Sequence, residues 1–228
     1  MRRRALINGC SSRRLVGAAL LAAVLAVLIV LEYLGLLSGV DSMVFQAVAR
    51  PGLVAAELVS ATASIPAFAV YAVALLAYDA ARRGRVSLGT VSLGVSLAVA
   101  MVHVAVLKAS LQVPRPGEQP LHQPLLEALM AADYYAFPSG HTARAVVAAY
   151  YLSRGRRGPA RLALWAWALA VAASRVLLGA HWFSDVAASV VLGLFVALVV
   201  ECTAPVWLRV YNATLGRIEV LRPAPAKR

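Results

Sequence analysis

The chain has 228 residues, of which 61% are hydrophobic and only 14% charged, and its mean hydropathy is +0.77. A soluble domain carries about 25% charged residues, so this composition excludes one and points to a chain that lives in lipid. The net charge of +12 is dispersed over separate short segments, which excludes the single basic face of a nucleic-acid binder.

Six apolar runs follow one another, at 15–37, 53–78, 86–111, 138–153, 160–180 and 184–208. A hydrocarbon layer of ~30 Å asks about 20 such residues of a helix. The pattern predicts an all-α polytopic membrane protein, with six transmembrane helices in one bundle and a single domain over residues 1–228.

The first run follows "MRRR", as a signal peptide would, but its 23 residues exceed the usual apolar core of about 7–15 and no small-x-small cleavage site follows. A retained helix is expected. Cys10 follows "LING", which lacks a lipidation pattern, and Cys202 lies far away in the last run. Neither cysteine suggests a disulfide or a metal site. Glu32 and Glu57 fall in the outer parts of the first two runs, with Arg50 between them in sequence. They are expected to pair with one another or with that arginine.

His103 lies inside the third run and reads as an interhelical hydrogen-bond partner. The segment from 112 to 137 is too long for a plain connection. Within it, Leu125, Leu126, Leu129 and Met130 repeat at helical spacing, which predicts a short amphipathic helix on the membrane surface. His122, in the same segment, carries no assignment. The fourth run has 16 residues and rises only about 24 Å. Its outer end should therefore lie at or just below the lipid surface.

Basic residues favour the cytoplasmic side of a membrane. With a cytoplasmic N-terminus, 17 of the 22 Lys and Arg fall on inner segments, including Arg13, Arg14, Arg82, Arg83, Arg85, Arg154, Arg156, Arg157, Arg161 and the basic tail. Both termini are then inside, and the charge also favours anionic headgroups. Five cations remain: Arg50, Lys108, Arg115, Arg144 and Arg175. The last four fall near the outer ends of the third, fourth and fifth runs, beside histidines, as an anion site requires.

Three blocks carry the chemistry. "KASLQVPRP" gives Lys108, six residues, then Arg115 and Pro116; "PSGH" spans Pro138, Ser139, Gly140 and His141; "SRVLLGAHWFSD" gives Ser174, Arg175, five residues, His181, three residues and Asp185. These blocks, in this order and spacing, resemble the three-part signature of the type 2 phosphatidic acid phosphatase superfamily, which also includes vanadium haloperoxidases. The motif core covers 108–185. Many members have a proline two residues after the last histidine, where this chain has Phe183; that departure touches only local loop shape.

The residue types support the same chemistry on physical grounds. In-line phosphoryl transfer spreads charge over three equatorial oxygens. Lys108, Arg115 and Arg175 offer cations, and the arginines can bond two oxygens at once. Ser139 offers a hydroxyl and Gly140 an N–H at a helix start, where the dipole favours an anion. No metal or other cofactor is then needed, and the chain shows neither a carboxylate cluster for magnesium nor Cys/His spacing for zinc.

His181 and Asp185, four residues apart, can meet on one helix face. A carboxylate on one ring nitrogen orients the imidazole and leaves the other nitrogen as a nucleophile. The resemblance implies that His181 attacks phosphorus to form phosphohistidine, and that His141 protonates the leaving alcohol and then activates water. Arg144, three residues after His141, suits either a second phosphate or a lipid headgroup. Taken singly, these polar residues fit interhelical hydrogen bonds equally well; taken together with the cations they favour an active site on the extracytoplasmic face.

The expected activity is hydrolysis of a lipid phosphomonoester or diphosphate, with prenyl (di)phosphates, phosphatidic acid and phosphatidylglycerol phosphate all open. A phosphotransferase would share every one of these residues, and an anion transporter or binding protein could also cluster cations at helix ends. Haloperoxidase activity fits least, since those relatives are soluble.

Overall fold

The computed structural model describes residues 10–223, and among these every regular element is helical. The first helix, α1 (Ser12–Tyr33), runs from what is here termed the basic end of the bundle to its site end. Two short helices follow at the site end, α2 (Ser38–Val48) and α3 (Val54–Ala61). Next come α4 (Ile65–Arg83), α5 (Leu88–Leu111), the short α6 (Leu125–Met130), α7 (Gly140–Leu152), α8 (Pro159–Leu177), α9 (Phe183–Cys202) and α10 (Ala204–Ala213).

Five helices, α1, α4, α5, α8 and α9, are long and apolar enough to cross a membrane. The six expected runs differ from these helices in three places. The run at 53–78 is two helices, because Ser64 caps α4 by accepting the Ala67 N–H (3.3 Å) and Pro66, in the first turn, has no N–H to continue a ladder. The run at 138–153 yields only the 13 residues of α7, which rise about 20 Å. The last run likewise breaks after Cys202, with Pro205 in the first turn of α10.

That short helix is the centre of the molecule. From Thr142 to Ala149 every residue of α7 is buried, enclosed by α5, α8 and α9, while α1 covers the far side of α9. Contact is close enough that a Cβ at Gly193 of α9 would lie 2.9 Å from Val146; only glycine lets the two backbones approach so far. Outward residues such as Leu20, Val70 and Val73 are apolar and exposed, as lipid-facing positions must be. On α6, Leu125, Leu126 and Met130 are exposed and Ala128 buried, so a short helix with an apolar outer face stands where one was expected.

At the basic end, α1 begins where α9 finishes, and Cys10 and Cys202 form a disulfide with Cα atoms 4.4 Å apart. The expectation of unpaired cysteines fails because 192 residues of sequence separate two ends that the antiparallel packing of α1 and α9 brings together. Nearby, the buried carboxylate of Glu201 is held by Arg14 (3.4 Å) and by Arg154. In the α4–α5 turn, buried Asp79 pairs with Arg83 and accepts from the Ser87 N–H (2.8 Å) and the Thr90 hydroxyl (2.6 Å). These contacts fasten the basic end.

Candidate active site

The three sequence blocks converge at the other end. Lys108 sits in the last turn of α5, Ser139 immediately precedes α7, Arg175 lies in the last turn of α8, and Asp185 is the third residue of α9. Each helix thus delivers its functional residue from a terminus. A turn at 178–181 folds back onto α8, with the Ala180 and His181 N–H groups donating to the Arg175 carbonyl (3.1 and 3.3 Å). Gly179 takes φ +65° there, and any side chain would also press on Phe45 at 3.1 Å.

His181 is buried, and its Nδ1 lies 3.1 Å from Asp185 Oδ2. The same oxygen accepts the Trp182 N–H at 2.8 Å, closing one half of a capping box at the start of α9. Since a carboxylate only accepts, Nδ1 carries the ring proton and Nε2 keeps its lone pair. Burial pushes the His181 imidazole well below its ordinary pKa, and Lys108, Arg175 and Arg115 push in the same direction. The ring is therefore neutral.

His141, in the first turn of α7, is likewise pushed down to about 3 by burial and by Arg175, Arg144, Arg115 and Lys108. The Ser139 N–H donates to the Asp185 carbonyl (3.3 Å), and the Thr142 hydroxyl donates to Ser139 Oγ (3.2 Å). The first of these ties the start of α7 to the start of α9 and brings the "PSGH" block beside the His181–Asp185 pair, while the second stays within the first turn of α7.

The cations surround this pair, and among the described residues none of them forms an ion pair with a carboxylate. Lys108, almost fully buried, donates to the Tyr135 carbonyl. Arg115 reaches the carbonyls of Tyr134 (3.1 Å), Asp133 and Ala180 (3.3 Å), bridging the segment before α7 to the residue preceding His181. Trp182 Nε1 donates to the Pro114 carbonyl (2.8 Å), fixing Arg115 from the other side. Arg175 donates from Nη1 to Ser60 Oγ (2.7 Å), and its Nε is buried without a partner. Arg144 is buried; its Nε donates to the Ala63 carbonyl (3.0 Å) and its Nη1 lies 3.3 Å from Met101 Sδ. Among the described residues no three His, Cys, Asp or Glu side chains gather as a metal site.

Three smaller expectations are corrected. Glu32 lies beside Ser184 and Asp41 rather than beside Arg50 or Glu57, and neither glutamate forms an ion pair among the described residues. Arg50 donates to its neighbour's carbonyl, that of Ala49 (2.7 Å). His103 is exposed and bonds the Val99 carbonyl of its own helix at 2.8 Å, not a second helix.

The structure adds residues that the sequence did not single out. Buried Asp41, on α2, accepts both the Ser184 N–H (2.8 Å) and the Ser184 hydroxyl (2.6 Å), capping α9 from another helix next to Asp185. Ser60 holds Arg175. Neither stands at a fixed spacing from the three blocks, so only the fold could reveal them.

Comparisons with known proteins bear on the family and the fold. Residues 89–208 match the PAP2 superfamily. A protein of Arabidopsis thaliana described as a probable lipid phosphate phosphatase beta is 30% identical over 125 residues, covering 43% of this chain and 57% of that protein. The chain therefore spans little more than half the length of that relative. The crystal structure of a transmembrane PAP2 type phosphatidylglycerolphosphate phosphatase from Bacillus subtilis superposes with a TM-score of 0.64 at 20% identity, covering 81% of this chain and 94% of that one. Aquifex aeolicus LpxE gives 0.56 at 22% identity, covering 71% and 94%. At such identities the likeness shows a shared fold. The family match takes in more than half of the chain and most of the site-bearing helices, and on that ground this multi-pass membrane protein belongs to the PAP2 superfamily.

Proposed function

We propose that the chain is a membrane lipid phosphatase that works through a phosphohistidine. The observation that carries this reading is the His181–Asp185 contact beneath three cations that have only uncharged acceptors. A phosphate ester supplies the missing negative charge, and Lys108, Arg115 and Arg175 bind its oxygens. Ser139 and the N–H groups at the start of α7 add donors.

His181 Nε2 attacks phosphorus, an N–P bond forms, and the bond from phosphorus to the lipid oxygen breaks. His141 gives that oxygen a proton, and Asp185 stabilises the charged imidazole. Burial and the cations keep His141 neutral before substrate binds, so its proton is taken up with the substrate, whose charge opposes theirs. Water then attacks phosphorus, His141 takes its proton, and inorganic phosphate leaves with His181 restored. The site lies at helix ends, where a headgroup rests while its tail stays in the bilayer, so the substrate is a lipid. The basic end faces the cytoplasm in this reading and the site faces outward.

Phosphate release from a panel of lipid phosphates in detergent tests the proposal. Release without an added acceptor alcohol supports a phosphatase; turnover only with an acceptor makes the protein a phosphotransferase; no turnover with any member overturns the enzymatic reading.

A further inference from the structure

The break between α3 and α4 has a cause in sequence and a consequence at the site. In an unbroken helix the Ala63 carbonyl would accept the Ala67 N–H. Here Ser64 Oγ takes that N–H (3.3 Å), and Pro66 offers none to Thr62. The Ala63 carbonyl, fully buried, is thereby released from the ladder and would be costly to leave unpaired. Arg144 fills it at 3.0 Å. One turn earlier, buried Ser60 accepts Arg175 Nη1 at 2.7 Å, and between them Thr62 Oγ1 accepts the Trp167 indole N–H at 2.9 Å. Three donors from α7 and α8 thus end within the four residues 60–63, in a segment that lies outside the PAP2 match at 89–208.

We propose that this break is a positioning device for the anion site, with Ser60 as the residue that sets the plane of Arg175. A guanidinium offers its donors in a rigid fork. With Nη1 held by Ser60, the Nε and Nη2 edge remains for two phosphate oxygens, and Nε has no other partner. The C-terminal end of α3, carrying the negative end of a helix dipole, also lowers the cost of holding two arginines so close together. Arg144 acts from beneath: its Nη1 lies 3.4 Å from the position a Cβ would take at Gly140, so it supports the first turn of α7, where His141 sits. Ser60 touches no substrate and works through Arg175.

The proposal rests on the anion site of the phosphatase reading, and its test needs no turnover. Binding of orthovanadate to the detergent-solubilised full chain, followed by titration calorimetry, reads the site directly. Ser60→Ala should weaken vanadate binding about tenfold, the value of one hydrogen bond to a charged group, with the thermal unfolding midpoint unchanged. Ser60→Thr, which keeps the hydroxyl, should restore it. Ser64→Ala combined with Pro66→Ala, which lets the helix run through and returns the Ala63 carbonyl to Ala67, should also weaken binding. Equal vanadate affinity in wild type and Ser60→Ala overturns the proposal, as does a fall in stability with unchanged affinity. Absence of vanadate binding in the wild type overturns both the proposal and the anion site. Vanadate binding with the expected loss in Ser60→Ala, but no hydrolysis of any lipid phosphate, sinks the phosphatase reading and leaves the role of Ser60 standing.

Discussion

The two ends of the bundle hold similar residues in opposite states. At the basic end, carboxylates and arginines meet directly: Glu201 with Arg14 and Arg154, Asp79 with Arg83. At the site end they are kept apart. Asp185 takes an imidazole and an N–H, Asp41 takes the two donors of Ser184, and Lys108, Arg115 and Arg175 are given carbonyls and a hydroxyl. A buried charge is tolerable when it is paired or hydrogen-bonded. Pairing cancels the field, whereas neutral acceptors hold the cation in place and leave its charge uncancelled. One end is built for cohesion, and the other leaves its cations without a counter-charge, as the proposed anion site requires.

The largest effect should come from His181→Ala, which removes the nucleophile and should lower turnover by several orders of magnitude. Stability should change little, which circular dichroism melting would verify. Next in size are the cations. Arg175→Ala or Lys108→Met should lower kcat/KM by about 10²–10³, and the melting temperature should hold or rise, because one of several mutually repelling charges is gone. Glu201→Gln should do the reverse, costing about 2 kcal/mol of stability, discounted for the partly exposed arginines, while specific activity of the folded protein persists. If Glu201→Gln damages catalysis and Arg175→Ala only melts the protein, the contrast between the ends is wrong.

A smaller signal lies in pH. Burial, with Lys108, Arg175 and Arg115 beside it, holds His181 well below the ordinary histidine value, so its neutral, nucleophilic form survives as pH falls through 6.5. The acid limb of kcat/KM for the free enzyme, corrected for ionisation of the phosphate ester, should therefore lie well below pH 6.5. A limb at 6–7 would mean that the nucleophile titrates as an exposed imidazole does. The mildest test is sidedness. In a Cys10→Ser/Cys202→Ser background, Gln119→Cys should react with an impermeant thiol reagent on intact cells, and Arg156→Cys only after lysis; the opposite pattern would invert the orientation.

Much of the site was legible because its chemistry is local. Four-residue spacing carries His181 and Asp185 to one face, and an N-terminal turn carries Ser139, Gly140 and His141, so the blocks state their own geometry. Residues that act across the bundle leave no such trace. Asp41 and Ser60 reach the site through α2 and α3, and the Cys10–Cys202 pair joins positions 192 apart. The α3–α4 break did leave a mark, in Ser64 and Pro66, but a hydropathy window averages over both. The short length of α7 was legible, but not its central place: burial on all sides gives a core helix the same apolar composition as a span.

The central claim is that the uncancelled cations hold a phosphoryl group for transfer to His181. His141→Ala removes the acid and base but leaves the nucleophile, so an activated aryl phosphate, whose phenolate departs unprotonated, should still phosphorylate it and the intermediate should persist. With radiolabelled aryl phosphate the account predicts stoichiometric label on His141→Ala, acid-labile and base-stable, located on His181, and none on the His141→Ala/His181→Ala double variant. Label on Ser139, or label that survives loss of His181, would contradict it.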